Sequence, residues 1–398
     1  MDNRTRTRSI PYGQHSLDDD DIAAVVEVLR HSPLTQGPKI TQFEEAVCRF
    51  TGARHAVAVS SGTAALHLAC LAVELGPGGR LVTSPITFAA SANCALYTGA
   101  APAFADINGK TLNMDPQGLA DVCARWKKVD VIIPVHYAGL PCDMPAIRAV
   151  AERHHAILIE DGAHALGATY PHGGRVGNCS LSAMTIFSFH PVKMIAAGEG
   201  GMITTNDTGL YRRLMRLRSH GINKLDDPVM NTARANTDGQ PNPWYYEMQE
   251  LGFNYRITDI QAALALSQLK RIDLFLARRR EIAETYDAAL NNLPGITLPQ
   301  RAGRAYSAHH LYPVRIDFKK LKTTRCVLME KLRKHGIGTQ VHYIPVYSHP
   351  YYKRFGIHPE DFPQSESYYA EALSLPIFFS LTPDEQHHII TTLKGLLP

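Results

Sequence analysis

Lysine 193 lies in a segment whose residue types favour a chemically active amine. Residues 183–188 form a mostly apolar run typical of a buried strand, and a second apolar run covers 202–205. His190-Pro191 and several glycines interrupt the pattern between these runs, where Lys193 lies. Desolvation at such a place would lower the pKa of the amine and make it nucleophilic, as a Schiff-base lysine requires. The alternative is a lysine at a strand end whose amine reaches solvent.

Two other strand ends carry groups that complement an activated amine. Ser60-Ser61-Gly62-Thr63 follows a strand and opens a helix, so that free backbone N–H groups and hydroxyls there could hold a phosphate. Asp161 ends a buried strand and could pair with a pyridinium nitrogen, which would keep the ring protonated as an electron sink. Taken singly, these residues could equally be ordinary helix caps.

Three further side chains could complete such a site. Phe88 could stack on a ring, and His164 could meet a ring hydroxyl or satisfy a core hydrogen bond. Ser188, five residues before Lys193, could add a phosphate contact. The conjunction of anion site, ring face, strand-end aspartate and buried lysine is what pyridoxal 5'-phosphate requires. The sequence therefore predicts this cofactor.

The elements that must position these groups read as an α/β fold. Strands at 56–59, 81–83, 101–105, 129–135 and 156–159 alternate with helices, which predicts a mostly parallel sheet covered on both faces. Ligands of such sheets bind beyond the carboxyl ends of the strands, where the candidate residues fall. A first helix is predicted to start at a Ser16 cap, and one long helix to span 257–293. Residues 223–243 are predicted to form a mobile loop.

The pattern of the last third of the chain predicts a smaller α/β layer. Short strands are expected at 311–316 and 339–342, with helices at 323–334 and 382–396. We therefore expect a large domain over 1–265 and a small C-terminal domain over 266–398. The N-terminal segment could pack with the small domain. The length of 398 residues agrees with two domains.

Composition excludes several classes of protein. The net charge of +4 and the lack of a basic arm do not indicate nucleic-acid binding. Seven scattered cysteines without a CxxC pair indicate reduced thiols, and the 19 histidines show no metal-ligand spacing. No signal-peptide core or membrane-length apolar run is present, so a cytoplasmic location without a membrane partner is expected.

Motifs along the whole chain resemble those of the DegT–StrS sugar-nucleotide aminotransferases. They include SSGTAALHL, PITFAASAN, PVHYAG, IEDGAHALGA, FSFHPVK, LRSHG and GFNYRITDIQAAL. The resemblance implies the fold-type I architecture of enzymes that depend on pyridoxal phosphate. The flanking motifs LTQGPKITQFEEA, YYEMQELGFNYRITDIQ and GTQVHYIPVY look like those of 4-aminotransferases in pseudaminic acid biosynthesis. Such enzymes use L-glutamate to aminate a UDP-linked 4-keto-6-deoxy sugar and release 2-oxoglutarate.

The resemblance also implies a role for each candidate residue. Lys193 would form the Schiff base and move the proton, while Asp161 would pair with the pyridine nitrogen. Asn254 is expected to reach the phosphate in the neighbouring subunit's site, which implies a homodimer with shared sites. The remaining cofactor contacts would come from Gly62, Thr63, Phe88, His164 and Ser188, and the sugar-nucleotide pocket would be lined by Tyr12, Leu34, Thr35, His342 and Tyr343.

Two other functions stay open at this point. An aminotransferase acting on UDP-4-keto-pentose or a dTDP-4-keto-6-deoxyhexose would share the motifs, since substrate choice depends on few pocket residues. A cofactor-binding regulator without turnover is the alternative from another class. The intact Lys193 and Asp161, without an added DNA-binding segment, argue against it.

Overall fold

A computed structural model describes residues 9–126, 128–223 and 228–397. Seven of the described strands form the central sheet: β1 (His55–Val59), β2 (Arg80–Thr83), β3 (Ala101–Phe104), β4 (Val131–Ile133), β5 (Ile157–Asp161), β6 (Met184–Ser188) and β7 (Gly201–Thr205). Their order is β1-β7-β6-β5-β4-β2-β3. Strand β7 runs antiparallel to both of its neighbours, and the other pairs are parallel. The predicted mostly parallel sheet is confirmed.

Helices cover both faces of this sheet. The first seven helices of the chain are α1 (Asp19–His31), α2 (Pro38–Thr51), α3 (Gly62–Ala72), α4 (Ala90–Tyr97), α5 (Pro116–Arg125), α6 (Met144–Arg153) and α7 (Thr208–Leu217), of which α2 to α7 contribute to the two faces. Successive side chains of a strand point to opposite faces. In β1, Ala56 and Ala58 belong to one apolar cluster, whereas Val57 and Val59 belong to the other. Burial on both faces explains why these strands read as continuous apolar runs.

The first helix is capped two residues later than its sequence predicts. Asp18, not Ser16, is the N-cap, because its carboxylate accepts the Asp21 backbone N–H while the Asp21 carboxylate accepts that of Asp18. Asp21 also accepts hydrogen bonds from Gln268 and Arg271. The acidic first turn of α1 therefore serves both as a cap and as an anchor for a distant part of the chain.

The segment predicted as a loop contains regular structure. Within the described residues it forms α8 (Thr232–Ala235) and a hairpin of β8 (Asn236–Thr237) and β9 (Gln240–Pro241). Residues 224–227 of the predicted loop lie outside the described ranges. Most of the side chains between 228 and 246 are exposed, so this segment lies on the surface.

The predicted long helix is two helices, α9 (Asp259–Lys270) and α10 (Ile272–Leu290), which meet at Arg271. The Arg271 backbone leaves helical geometry, with φ of −104° and ψ of 7°. Its guanidinium pairs with Asp18 at 2.7 Å and with Asp21. Both carboxylates lie at the start of α1, more than 240 residues away in the chain, so the local sequence does not indicate this pairing.

A second, three-stranded antiparallel sheet follows, made of β10 (Ile296–Thr297), β11 (Tyr312–Ile316) and β12 (Ala372–Leu375). It packs with α11 (Arg325–Lys334), α12 (Pro363–Glu371) and α13 (Pro383–Leu396). The strand predicted at 339–342 is only an isolated bridge from Gln340 to Ser374, on the edge of β12 opposite β11. Ile10 pairs with Ile337 and lies in the same apolar cluster, so the N-terminal segment packs on this layer. None of the described helices has the length and hydropathy to cross a membrane.

Candidate active site

A cavity of about 650 Å³ opens at the carboxyl ends of the parallel strands. Ten of the residues predicted from the sequence line it: Tyr12, Gly62, Thr63, Phe88, Asp161, His164, Ser188, Lys193, His342 and Tyr343. The other three, Leu34, Thr35 and Asn254, are exposed and do not line this cavity. Within one chain, the structure therefore gathers the predicted cofactor residues other than Asn254.

Lys193 enters the cavity from the connection between β6 and β7. This connection is tied at its base, where the Phe189 N–H donates to Gly200 at 2.9 Å and the Lys193 N–H donates to the carbonyl of His190 at 2.8 Å. Burial lowers the pKa of the Lys193 amine to about 8, although the negative charge of Asp161 opposes the shift. The unprotonated fraction of this amine at neutral pH is consequently far larger than for an ordinary lysine. The amine is thus suited to nucleophilic and proton-transfer chemistry.

Asp161 ends β5 with a carboxylate that is only partly satisfied by the protein. Its Oδ2 accepts a hydrogen bond from Ser91 Oγ at 2.7 Å, and its Oδ1 accepts one from the Ala163 N–H at 3.0 Å. A carboxylate offers about four acceptor positions, so capacity remains for a donor on a ligand. Our sequence reasoning missed the role of Ser91, although it lies within the quoted PITFAASAN motif, three residues after Phe88.

Glu160, the preceding residue, is satisfied by the protein alone. His136 Nε2 donates to its carboxylate at 2.8 Å, and because His136 Nδ1 accepts the Cys142 N–H, the Nε2 nitrogen carries the proton. Burial alone would raise the pKa of Glu160, but its hydrogen bonds hold that pKa below its usual value. The other donors to this carboxylate are the hydroxyls of Tyr170, Ser182 and Thr185.

His164 is a buried imidazole with one nitrogen left open. Its Nε2 lies 3.1 Å from the Tyr343 hydroxyl, while its Nδ1 has no hydrogen-bond partner in the described part of the chain. Burial and the positive charge of Lys193 hold the pKa of His164 well below its usual value. His310, another residue missed from the sequence, packs against this ring at 4.5 Å and likewise has an unpartnered Nδ1 among the described residues. Two neutral imidazoles thus flank the cavity.

The start of α3 forms an anion-binding geometry. Ser61 caps the helix by accepting the Ala64 N–H at 3.1 Å, and the first helical N–H groups have no partner within a helix. A methyl group on Gly62 would lie 2.9 Å from Ser188 Cβ, so only glycine allows the helix start and the end of β6 to approach this closely. The backbone N–H groups and the helix dipole favour a phosphate here.

These features fit pyridoxal phosphate. The open acceptor capacity of Asp161 suits a protonated ring nitrogen, and His164 Nδ1, which has no partner in the described ranges, suits a ring hydroxyl. Phe88 is 62% exposed, which leaves a ring face free beside the cavity. A nucleophilic lysine, an anion site and a ring-sized space between them complete the requirements of the cofactor.

Comparisons with known proteins agree with this chemistry. The DegT/DnrJ/EryC1/StrS aminotransferase family matches residues 15–394. The chain is 42% identical over 395 residues to the spore coat polysaccharide biosynthesis protein SpsC of Bacillus subtilis, covering 98% of both chains. Its structure is similar to that of Helicobacter pylori PseC, an aminotransferase involved in pseudaminic acid biosynthesis, with a TM-score of 0.87, 31% identity and 98% and 99% coverage.

A third relative shows the cofactor directly. The putative sugar aminotransferase Spr1654 of Streptococcus pneumoniae has been solved in pyridoxal phosphate and pyridoxamine phosphate forms. It matches with a TM-score of 0.86 and 29% identity over 97% of this chain and 98% of its own. The chain therefore belongs to the DegT/DnrJ/EryC1/StrS aminotransferase family, as a sugar aminotransferase with the fold-type I architecture that depends on pyridoxal 5'-phosphate.

Proposed function

We propose that this enzyme transfers an amino group from L-glutamate to C4 of a UDP-linked 4-keto-6-deoxy-N-acetylhexosamine. The acceptor would be UDP-2-acetamido-2,6-dideoxy-β-L-arabino-hexos-4-ulose, and the product would lead toward pseudaminic acid. The similarity to PseC over nearly the whole of both chains carries this proposal. The motifs at both ends of the sequence support the same substrate class.

A second candidate is an aminotransferase for another 4-keto nucleotide sugar. The chain shares 42% of its residues with SpsC, more than the 31% that it shares with PseC. A sugar destined for a different surface polysaccharide, such as one made from a UDP-4-keto-pentose or a dTDP-4-keto-6-deoxyhexose, would account for that difference.

Different residues of the cavity would hold different parts of the cofactor. Bound pyridoxal phosphate supplies a carbonyl that condenses with amines and a ring that accepts electron density when a proton is removed. We assign the ring nitrogen to Asp161, the ring hydroxyl to His164 and the ring face to Phe88. The phosphate would be held by Gly62 and Thr63 at the start of α3, together with Ser188.

Lys193 would act first as a base and then as an acid. Its pKa of about 8 makes the neutral amine available near physiological pH. With the donor bound at the cofactor, the free amine of Lys193 would accept the α-proton of the donor and later return a proton. The same two transfers in reverse would serve the sugar, whose pocket we assign to Tyr12, His342 and Tyr343.

We propose that the active unit is a homodimer with shared sites. Leu34, Thr35 and Asn254 are exposed and outside the cavity of their own chain, where they would be free to meet the cavity of a second copy. The nearby surface also carries large exposed apolar side chains, which is typical of an interface. These are Met230, Trp244, Tyr246, Met248 and Leu251.

The acceptor sugar is identified by half-reactions. Purified enzyme would be converted with L-glutamate to the pyridoxamine form, separated from the donor, and offered each keto sugar in turn. We expect the UDP-linked N-acetylhexosulose to restore the original absorbance fastest and to yield a 4-amino product by mass spectrometry. A faster response to the UDP-4-keto-pentose or the dTDP-4-keto-6-deoxyhexose would favour the second candidate instead.

Shared sites are tested by mixing two inactive variants. Lys193→Ala and Asn254→Ala chains would be unfolded together and refolded, so that mixed dimers form. One of the two sites in a mixed dimer would then contain both native residues, and random pairing would restore about a quarter of wild-type activity. Activity no higher than the mean of the two separate variants would argue for sites built from one chain.

A further inference from the structure

Two buried hydroxyl groups form a chain that ends on the Asp161 carboxylate. Thr87 Oγ1 lies 2.8 Å from Ser91 Oγ, and Ser91 Oγ lies 2.7 Å from Asp161 Oδ2. Both hydroxyl residues are buried, and both line the cavity. Neither has a part in the cofactor contacts assigned above.

The direction of the hydrogen bonds in this chain follows from the proton count. An ionised carboxylate only accepts, so the Ser91 hydroxyl donates its single proton to Asp161. Ser91 can then only accept from Thr87, whose hydroxyl must be the donor in that pair. The competing acceptor, the carbonyl of Phe88, lies farther from Ser91 Oγ at 3.3 Å. Hydrogen bonds aligned in this way polarise one another toward the carboxylate.

Asp161 is therefore held through both of its oxygens. Ser91 donates to Oδ2, and the Ala163 N–H donates to Oδ1 at 3.0 Å. Two donors on different oxygens fix the plane of the carboxylate and stabilise its negative charge. Acceptor capacity is left for one more donor, the protonated ring nitrogen of the cofactor.

We propose that Ser91, polarised by Thr87, is a positioning residue that keeps the Asp161 carboxylate ionised and aligned with the ring nitrogen of pyridoxal phosphate. Without the Ser91 donor, negative charge on Asp161 is less stable, and the shared proton shifts from the ring nitrogen toward the carboxylate. A neutral ring is a weaker electron sink, so proton removal by Lys193 slows. The inference rests on the proposed role of Asp161 and needs no sugar substrate for its test.

The test reads the ring nitrogen directly. Wild-type and Ser91→Ala enzymes would be reconstituted with pyridoxal phosphate carrying ¹⁵N in the ring, and the nitrogen resonance would be recorded by NMR. We expect Ser91→Ala to move the resonance toward the position of a neutral pyridine, and Thr87→Val to move it the same way by less. The glutamate half-reaction of Ser91→Ala should slow by about 10- to 100-fold, the range for losing a hydrogen bond to a charged group.

Ser84→Ala is the matched control. Ser84 is another buried hydroxyl, in the loop that joins β2 to α4; it accepts the Ile86 N–H at 3.3 Å and makes no hydrogen bond to Asp161. Its removal should leave the ring nitrogen resonance at the wild-type position. A resonance that is unchanged in Ser91→Ala would overturn the proposal.

Two further variants keep the test decisive. If Ser91→Ala fails to hold the cofactor, Thr87→Val carries the test, because it leaves the Ser91 oxygen in place, and an unshifted resonance there would count against the proposal. Asp161→Asn separates the inference from its premise. If that change does not move the resonance either, the role assigned to Asp161 is wrong, whatever the acceptor sugar proves to be.

Discussion

Glu160 and Asp161 are consecutive residues of β5 whose carboxylates serve opposite faces of the central sheet. Their apolar neighbours divide in the same way, with Leu158 in one core cluster and Ile159 in the other. Glu160 accepts from four side chains of the protein. Asp161 accepts from one side chain and one backbone N–H.

The hydrogen bonds of the two carboxylates indicate different roles. Glu160 links elements of the fold, whereas Asp161 can still accept a hydrogen bond from a ligand. The donors to Glu160 come from the segment after β4, from the connection between β5 and β6, and from β6 itself, so its hydrogen bonds link neighbouring parts of the sheet. On the Asp161 side, His164 has a nitrogen with no partner among the described residues, and burial lowers the pKa of Lys193. Polar atoms with free hydrogen-bonding positions beside a desolvated amine therefore identify the reactive face of the sheet. Burial alone does not identify it, because Glu160 is buried as well.

The largest expected effect is that of Lys193→Ala. Loss of the amine removes both the covalent attachment and the proton transfer, so the glutamate half-reaction should fall by at least about 10⁴-fold. The hydrogen bonds of Glu160 are untouched, and the free energy of unfolding should change by less than about 1 kcal/mol. Single-turnover absorbance and urea denaturation measure the two quantities. Lys394→Ala, at an exposed lysine of α13, is the control and should change neither.

Replacing Glu160 and Asp161 in turn by the corresponding amide tests whether the first serves stability and the second serves the reaction. Asp161→Asn should lower the rate of the half-reaction by about 10²- to 10³-fold, the range for a group that stabilises developing charge, with little loss of stability. Glu160→Gln should instead cost about 2–3 kcal/mol of unfolding free energy, because its amide nitrogen would face buried donors. Stability and single-turnover rate of both variants would be measured together. If Glu160→Gln lost as much rate as Asp161→Asn without losing stability, the two carboxylates would not have different roles.

Acid should reduce the contribution of Glu160 to the stability of the fold. Its pKa is lowered in the folded state, so its contribution to stability is present above the unfolded value of about 4.3 and is lost as pH falls through the folded pKa. The stability difference between wild type and Glu160→Gln should therefore shrink as pH is lowered below about 4. Urea denaturation at pH 7, 5 and 3.5 measures it. A difference that stays constant to pH 3.5 would mean that Glu160 is not stabilised as an anion.

The smallest effect is expected from Phe88→Ala. This side chain is exposed at the cavity, so its loss should not change stability, while the loss of one stacking contact should raise the Kd for pyridoxal phosphate by about 2- to 10-fold. Absorbance titration of the apoprotein measures the Kd. Phe88→Tyr keeps the ring face and should bind like wild type. An unchanged Kd in Phe88→Ala would assign Phe88 to the substrate entrance instead.

Local sequence patterns predicted the structural features that depend on residues close together in the chain. Strand and helix alternation located the sheet, and strand ends pointed to Lys193 and Asp161, because parallel strands bring their carboxyl ends together. The role of Ser91 could not be read in this way, since its partner Asp161 is 70 residues away. Arg271, where the predicted long helix breaks, pairs with Asp18 and Asp21, which are even more distant in the chain. Asn254 is exposed in its own chain, so a contact of its side chain with a second copy cannot be read from one chain.

The antiparallel pairing of β6 with β7 has a consequence for how such an enzyme can change over evolutionary time. Five residue pairs, from Met184–Thr205 to Ser188–Gly201, hold the two ends of the segment that carries Lys193. The scaffold on either side keeps its alignment whichever residue occupies position 193, because the lysine side chain contributes nothing to that pairing. New chemistry could therefore be acquired by substitution within residues 189–200 while the sheet, the anion site and the sugar pocket are inherited unchanged.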